Sequence, residues 1–446
     1  MNTTIIKNAS IVNENKNFRG DVLIKNGRIE KIDHSISVVE NCLEIDATNL
    51  HLLPGCIDDQ VHFREPGLTH KGEIYTEAKA AVAGGITSYM EMPNTNPQSI
   101  TQELLEAKYQ RAAECSLGNY SFFMGVTNHN YDEVVRTDPK NVCGIKIFMG
   151  SSTGDMLVDD RHILCRLFAN APTLIAVHCE DEATVKRNLA AAKEKYGEDI
   201  PMEMHPIIRD EEACYLSSSL AAELAIKKGT RLHILHISTE KELSLFSNAL
   251  PLAEKKITAE ACIHHLYFTD EDYKIKGSLI KWNPAVKSHR DRDAIRAAVN
   301  NNIIDVIATD HAPHTIEEKN SKYLNAPSGG PLVQHALPAM LNAVSEGWIT
   351  LEKVVEKMSH SVATCFNLEE RGFIREGYYA DLVLVDLNKA TTVSKENLLY
   401  KCGWSPFEGT SFKGAIDSTF VNGHRVYHQG QFDESKTGKR LTFDRL

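Results

Sequence analysis

The run Cys56-Ile57-Asp58-Asp59-Gln60-Val61-His62 starts apolar and ends in groups able to bind metals or protons. Its apolar start reads as a buried strand. Residues two apart on a strand share a face, so Gln60 and His62 project together. Seven further runs of this kind follow, at residues 87–93, 120–126, 143–149, 173–179, 231–237, 257–263 and 304–310. Helical stretches lie between most of them. Residues 73–82 form one, stopped by Gly84-Gly85, where glycine can take a left-handed cap. Residues 210–227 form another, with an Ala-rich face at helical spacing. Eight strands alternating with helices predict an α/β fold, a (β/α)8 TIM barrel.

The flanks read differently. Residues 3–6, 21–25 and 28–32 are short strands, with Asn26-Gly27 as a tight hairpin turn. Residues 380–386 form a strand near the other end, and Asn422-Gly423 is a second such turn. Residues 1–52 and 366–446 are therefore expected to build one small β-sandwich domain from both termini, around a catalytic barrel at 53–365.

Composition sets outer limits. Apolar residues at 42% and charged residues at 24% of 446 are those of an ordinary globular protein. A net charge of −11 argues against a nucleic-acid partner. No stretch approaches the roughly 18 apolar residues of a membrane-spanning helix. The N-terminal residues carry no signal-peptide pattern. The ten cysteines are scattered without a Cys-x-x-Cys pair. Buried reduced thiols and a cytoplasmic location are the expectation.

Barrel enzymes build their sites at the C-terminal ends of the strands. Here those ends carry Gln60 and His62, Lys146, His178 and Glu180, His233 and His236, His264 and His265, and Asp310, His311 and His314. One histidine at a strand end is usually structural. So many ends offering nitrogen or oxygen ligands predict a metal site, and imidazole with carboxylate suits zinc. The polar stretch 314–331 has the length of a functional loop, either a cover for the site or a solvated connector.

Several motifs resemble those of the dihydroorotase family in the amidohydrolase superfamily. They are Asp58 to Gly67, with Arg64-Glu65-Pro66-Gly67; Met92-Pro93-Asn94-Thr95-Asn96-Pro97; Thr258-Ala259-Glu260 with His264-His265-Leu266; Asn283-Pro284; and Ala308-Thr309-Asp310-His311-Ala312-Pro313-His314. They occur in the family's order and span essentially the whole chain. Gln60 departs from the pattern, standing where the family has histidine.

The resemblance implies a zinc-dependent, reversible cyclisation of N-carbamoyl-L-aspartate to L-dihydroorotate, in pyrimidine biosynthesis. It implies one or two zinc ions bridged by a carboxylated Lys146. His178 and His236 would complete one site, and His62 and Asp310 the other, where Gln60 is a weaker ligand than imidazole. Asp310 would also be the catalytic proton shuttle. Arg64, Asn94, Asn283, His314, Ser328 and Gly329 would bind the substrate. Dihydropyrimidinases, hydantoinases and allantoinases share the barrel, the lysine and the histidines, but their substrates generally lack the carboxylate that Arg64 suits. A catalytically impaired partner of aspartate transcarbamoylase is a further alternative. A homodimer is the expected assembly.

Overall fold

The two ends of the chain meet in one sheet. The computed structural model describes residues 3–37, 41–150, 156–158 and 160–445. Strands β1 (Thr3–Asn13), β2 (Lys16–Lys25), β3 (Arg28–Asp33), β4 (Leu43–Asp46) and β5 (His51–Pro54) come first. β1 outruns the expected strand at 3–6. The polar Lys7-Asn8 pair reads as an end, but Asn8 takes a left-handed φ of 61° and the pairing resumes at Ala9. Asp21 accepts the Asn8 N–H at 2.8 Å, so the bulge leaves no unsatisfied donor there.

The barrel strands follow: β6 (Cys56–Val61), β7 (Ile86–Glu91), β8 (Asn119–Phe122), β9 (Met124–Gly125), β10 (Ile145–Phe148), β11 (Ile175–His178), β12 (Leu232–Ile234), β13 (Ile257–Cys262) and β14 (Val306–Ala308). β8 and β9 are two halves of one barrel strand interrupted at Phe123. β6-β7-β8 and β9 through β14 pair in parallel in sequence order. A parallel bridge from Val61 to His311 closes the ring, with His62 N–H donating to His311 O at 2.7 Å. Almost every barrel-strand residue is buried, as expected for a parallel sheet covered by helices.

The helices begin and end where their sequence signals lie. Ile74–Ala83 is capped by Glu73 and ends at Gly84, with Gly85 in the left-handed region. In Glu211–Lys228 the Asp210 carboxylate accepts the Ala213 N–H, and Gly229 closes the last turn at φ 72°.

β15 (Leu382–Thr392), β16 (Ser411–Val421), β17 (His424–His428) and β18 (Gln431–Phe432) complete the second sheet. Its order is β18-β17-β16-β15-β5-β1-β2-β3, with β4 on β1. The seam between N- and C-terminal segments is β5 against β15, where Leu382 pairs with Pro54. The two Asn-Gly turns have both residues at positive φ, as a type I′ turn requires. They also touch each other: a Cβ on Gly423 would lie 2.7 Å from Gly27 Cα. Ile6, Ile24, Leu52, Leu382, Leu384 and Phe420 form part of the apolar core of this domain. The molecule is a (β/α)8 barrel with a β domain made from both termini. Among the described residues no helix is long and apolar enough to cross a membrane. All ten cysteines are free, six of them buried and four partly exposed.

Candidate active site

One pocket at the C-terminal ends of the barrel strands is lined by Gln60, His62, Arg64, Lys146, His178, His236, Asn283, Asp310, Ser328 and Gly329, with Phe148, Trp282 and Ala312. It gathers all the residues expected to hold metal and most of those expected to hold substrate. Three of the backbone positions that aim these groups are left-handed without being glycine: Arg64 at φ 71°, His236 at 41° and Asp310 at 50°. Such conformations cost free energy and persist where the surroundings enforce them.

Strand β6 reaches the pocket through a register irregularity between Asp58 and Val61. Asp58 does not face the pocket. It accepts the Thr309 hydroxyl at 2.6 Å and the Thr309 N–H at 3.2 Å, tying the first barrel strand to the last. That tie sets Gln60 beside Asp310. Gln60 Nε2 donates to Asp310 Oδ1 at 3.2 Å, and Gln60 Oε1 accepts from Cys262 Sγ at 3.5 Å. His62 Nε2 lies 3.2 Å from the same Asp310 oxygen, while its Nδ1 is 2.8 Å from Asn94 Oδ1. Asn94 therefore holds the His62 ring, and Asn94 Nδ2 is buried without a hydrogen bond.

Burial sets the protonation states. It pushes the Asp310 carboxyl up to about 7, against the pull of Lys146, His178 and Arg64. It pushes the Lys146 amine down to about 7. Lys146 Nζ sits 4.6 Å from the centre of the Phe148 ring. Burial also lowers His62, His178 and His236, so all three imidazoles are neutral near pH 7. His178 Nδ1 and His236 Nε2 are 3.0 Å apart. Glu180 lies 3.2 Å from His178 Nε2 and pairs with Arg209. Burial raises its carboxyl, but Arg209 and His178 hold it at about 2.

This donor set fits a zinc centre. Neutral imidazoles, an amine that loses its charge near neutrality and a carboxyl line one pocket, and His178 Nδ1 and His236 Nε2 converge within 3.0 Å.

Arg64 faces the pocket buried at 2% exposure. Its Nε donates to Pro313 O at 3.0 Å, and its Nη2 lies 3.0 Å from His314 Nε2. Asp310 in the same pocket, Glu91 and Glu318 act on it from a distance, Glu91 being paired with Lys108 and Glu318 with Lys71. Burial lowers the guanidinium to about 10, still charged at neutral pH. His314 is not in the pocket wall; it supports Arg64 from behind and lies 3.1 Å from Ser328 O. Asn283 Oδ1 is buried without a hydrogen bond.

The segment 314–331 is neither a free cover nor a solvated connector. Two buried lysines hold it by its carbonyls. Lys319 Nζ donates to Gly329 O at 2.7 Å and Pro327 O at 2.8 Å. Lys281 Nζ donates to Tyr323 O at 2.7 Å and Ala326 O at 2.5 Å. Gly329 has φ 126°, and a Cβ there would lie 2.5 Å from Ala312 O. Only glycine brings this backbone to the pocket.

Some strand-end residues do not reach the pocket. His264 stacks on Trp282 at 4.5 Å, and His265 Nε2 lies 3.1 Å from Pro284 O. They start the short helix Ile263–Tyr267 instead of pointing along the strand. Trp282 and Phe148 were not expected in the wall. Their neighbours Asn283 and Lys146 gave the place, but an aromatic beside a polar residue has no periodicity that marks it as lining.

Comparison with known proteins places this geometry. Residues 51–426 match the model of the amidohydrolase family. A dihydroorotase of Halobacterium salinarum is 33% identical over 399 residues, covering 87% of this chain and 91% of that one. A dihydroorotase of Listeria innocua is 34% identical over 439 residues, covering 96% and 99%. Among solved structures, L-hydantoinase (dihydropyrimidinase) from Arthrobacter aurescens superposes with a TM-score of 0.92 at 26% identity, covering 99% and 100%. A dihydropyrimidinase from Brevibacillus agri shares the fold, with a TM-score of 0.88 at 24% identity. A closed parallel barrel with histidines, a lysine and an aspartate at its strand ends, matched over most of its length, makes this chain a member of the amidohydrolase family.

Proposed function

We propose that this chain is a dihydroorotase, a cyclic-amide hydrolase that interconverts N-carbamoyl-L-aspartate and L-dihydroorotate in pyrimidine synthesis. The observation that carries the choice is Arg64. A buried guanidinium facing a pocket, influenced by Asp310 but with no carboxylate among the described residues in ion-pair contact with it, is costly unless an anion meets it. The carboxylate of dihydroorotate meets that need through a charge-assisted contact. Hydantoin and dihydrouracil lack it.

Lys146, His178 and His236 would hold one zinc ion, and His62 with Asp310 a second. Zinc held there would polarise a carbonyl and acidify water. Lys146, lowered to about 7 and so uncharged in part at neutral pH, can attack carbon dioxide in its amine form; the new N–C bond and the loss of one proton give a carbamate able to bridge cations. Gln60 spends its amide on Asp310 and Cys262, so it orients the aspartate and would be a weaker ligand to a second ion than imidazole. Asp310 takes the proton of the attacking water and returns it to the leaving ring nitrogen, a role suited to a carboxyl raised to about 7 by burial. Asn94 steadies His62, and its free Nδ2 with the Asn283 side chain and the Ser328-Gly329 backbone would fix the ring.

Replacing Arg64 by Met tests the carboxylate assignment. The KM for dihydroorotate should rise about 10- to 100-fold, as expected from losing one charged contact. An unchanged KM would remove Arg64 from substrate binding. The proposal carries a cytoplasmic location with it. Sizing the purified chain, alone and with aspartate transcarbamoylase, reads the expected homodimer and the association with that enzyme.

A further inference from the structure

Deeper in the barrel, within the strands and not at their ends, lies a second group of reactive side chains. Asp59 on β6, His233 on β12 and Glu260 on β13 are each 0% exposed. One ligand atom from each lies within 4.8 Å of the others. None of the three lines the strand-end pocket.

Their hydrogen bonds are arranged to leave one atom of each facing inward. The Thr258 hydroxyl donates to Leu232 O at 3.3 Å, so it accepts from His233 Nδ1 at 2.8 Å. That contact makes Nδ1 the donor and turns Nε2 toward the two carboxyls, the orientation a metal-binding histidine needs; with no ion between them, Asp59 and Glu260 raise the imidazole to about 9 against its burial, so an ion would take the place of the Nε2 proton. Glu260 Oε1 is occupied, accepting the His236 N–H at 2.9 Å and the Cys262 thiol at 3.2 Å. Glu260 Oε2, His233 Nε2 and both Asp59 oxygens make no hydrogen bond.

Spacing separates two ligands of one ion from a donor and its acceptor. His233 Nε2 is 3.1 Å from Asp59 Oδ2 and 3.8 Å from Glu260 Oε2. The shorter approach is within reach of a hydrogen bond but lacks the alignment of one. Ligand bonds of about 2.0–2.2 Å place tetrahedral neighbours roughly 3.3–3.6 Å apart, between these two distances. Charge points the same way. With a proton on Nε2, two buried carboxyls share one cation, and burial together with Asp59 raises the Glu260 carboxyl to about 7. A divalent ion with neutral imidazole balances both.

We propose that Asp59 Oδ2, His233 Nε2 and Glu260 Oε2 form a buried divalent-cation site, suited to zinc, separate from the strand-end centre. With no exposure to solvent, it would be filled as the chain folds, so its ion would be part of the barrel core.

Crystals of the full chain saturated with zinc, measured at the zinc absorption edge, test this. An anomalous peak bonded to His233 Nε2 and to Asp59 and Glu260 oxygens is expected. No peak there overturns the proposal, whether or not the strand-end site is filled. A strand-end peak without the inner one leaves the proposed reaction standing while removing this site. Native mass spectrometry gives a second reading: Asp59→Asn should carry one zinc fewer per chain than the wild type. An unchanged count overturns the assignment even if crystals fail.

Discussion

At the residue scale the pocket is governed by what burial does to charge. Arg64, Lys146 and Asp310 all leave their ordinary ranges because water is excluded, and the last two meet near pH 7. Gln60 shows the limit of reading residues two apart. The sequence places it correctly on the face of His62, but not its use: its amide nitrogen is bonded to Asp310 and its oxygen to Cys262, from a strand 202 residues away in sequence. Asp59 was hidden for a related reason. Strict alternation puts it opposite Gln60, yet the irregularity after Asp58 lets it face His233 while Gln60 faces Asp310. A bulge cannot be read from a pattern whose period it breaks. Gln60→His would return an imidazole to this position. Zinc bound per chain, counted after dialysis, should rise by up to one over the wild type, since imidazole is the better ligand. An unchanged count would mean that His62 and Asp310 already hold the second ion.

At the element scale, strands and helices were legible because their signals are local. The helices at Ile74–Ala83 and Glu211–Lys228 start and stop within a residue or two of where Glu73, Gly84-Gly85 and Asp210 place them. The segment 314–331 was not legible, because what fixes it lies outside it or looks like surface charge. Lys319 reads as one member of a charged Glu-Glu-Lys run, and Lys281 precedes the segment altogether. Both are buried and spend their amines on backbone carbonyls. Burial pushes the Lys319 amine well below its ordinary range. Lys319→Met would leave the Pro327 and Gly329 carbonyls without this partner, at about 1–3 kcal/mol each. A loss of roughly 3 kcal/mol in urea unfolding is expected, with a raised KM because Ser328 and Gly329 lose their support. Wild-type stability and KM together would show that the loop is held by other contacts.

At the scale of the whole molecule, an acidic protein encloses a barrel rich in buried histidine. His335 shows the consequence away from the site: burial lowers it to about 3, and its Nδ1 is 2.9 Å from the Tyr400 hydroxyl. In the unfolded chain the same group titrates near 6.5. The folded protein refuses a proton that the unfolded chain accepts, so the native state is favoured above pH 6.5 and weakened as pH falls toward 3. Each such histidine contributes a slope of about 1.4 kcal/mol per pH unit in that window. The Tm should therefore fall steadily from pH 6.5 to 5, and His335→Gln should flatten the decline; equal Tm values at pH 7.5 and 5.5 would contradict this. The β domain built from both termini could be expected from two Asn-Gly turns, but the seam of β5 on β15 and the contact of Gly27 with Gly423 are long-range facts. The most direct test of function is an initial-rate comparison of dihydroorotate, dihydrouracil and hydantoin with the purified chain, supplied with zinc and bicarbonate. Dihydroorotate should be turned over with a kcat/KM about 100-fold or more above the uncharged rings, because only it engages Arg64. Hydrolysis of hydantoin or dihydrouracil without turnover of dihydroorotate would contradict the assignment.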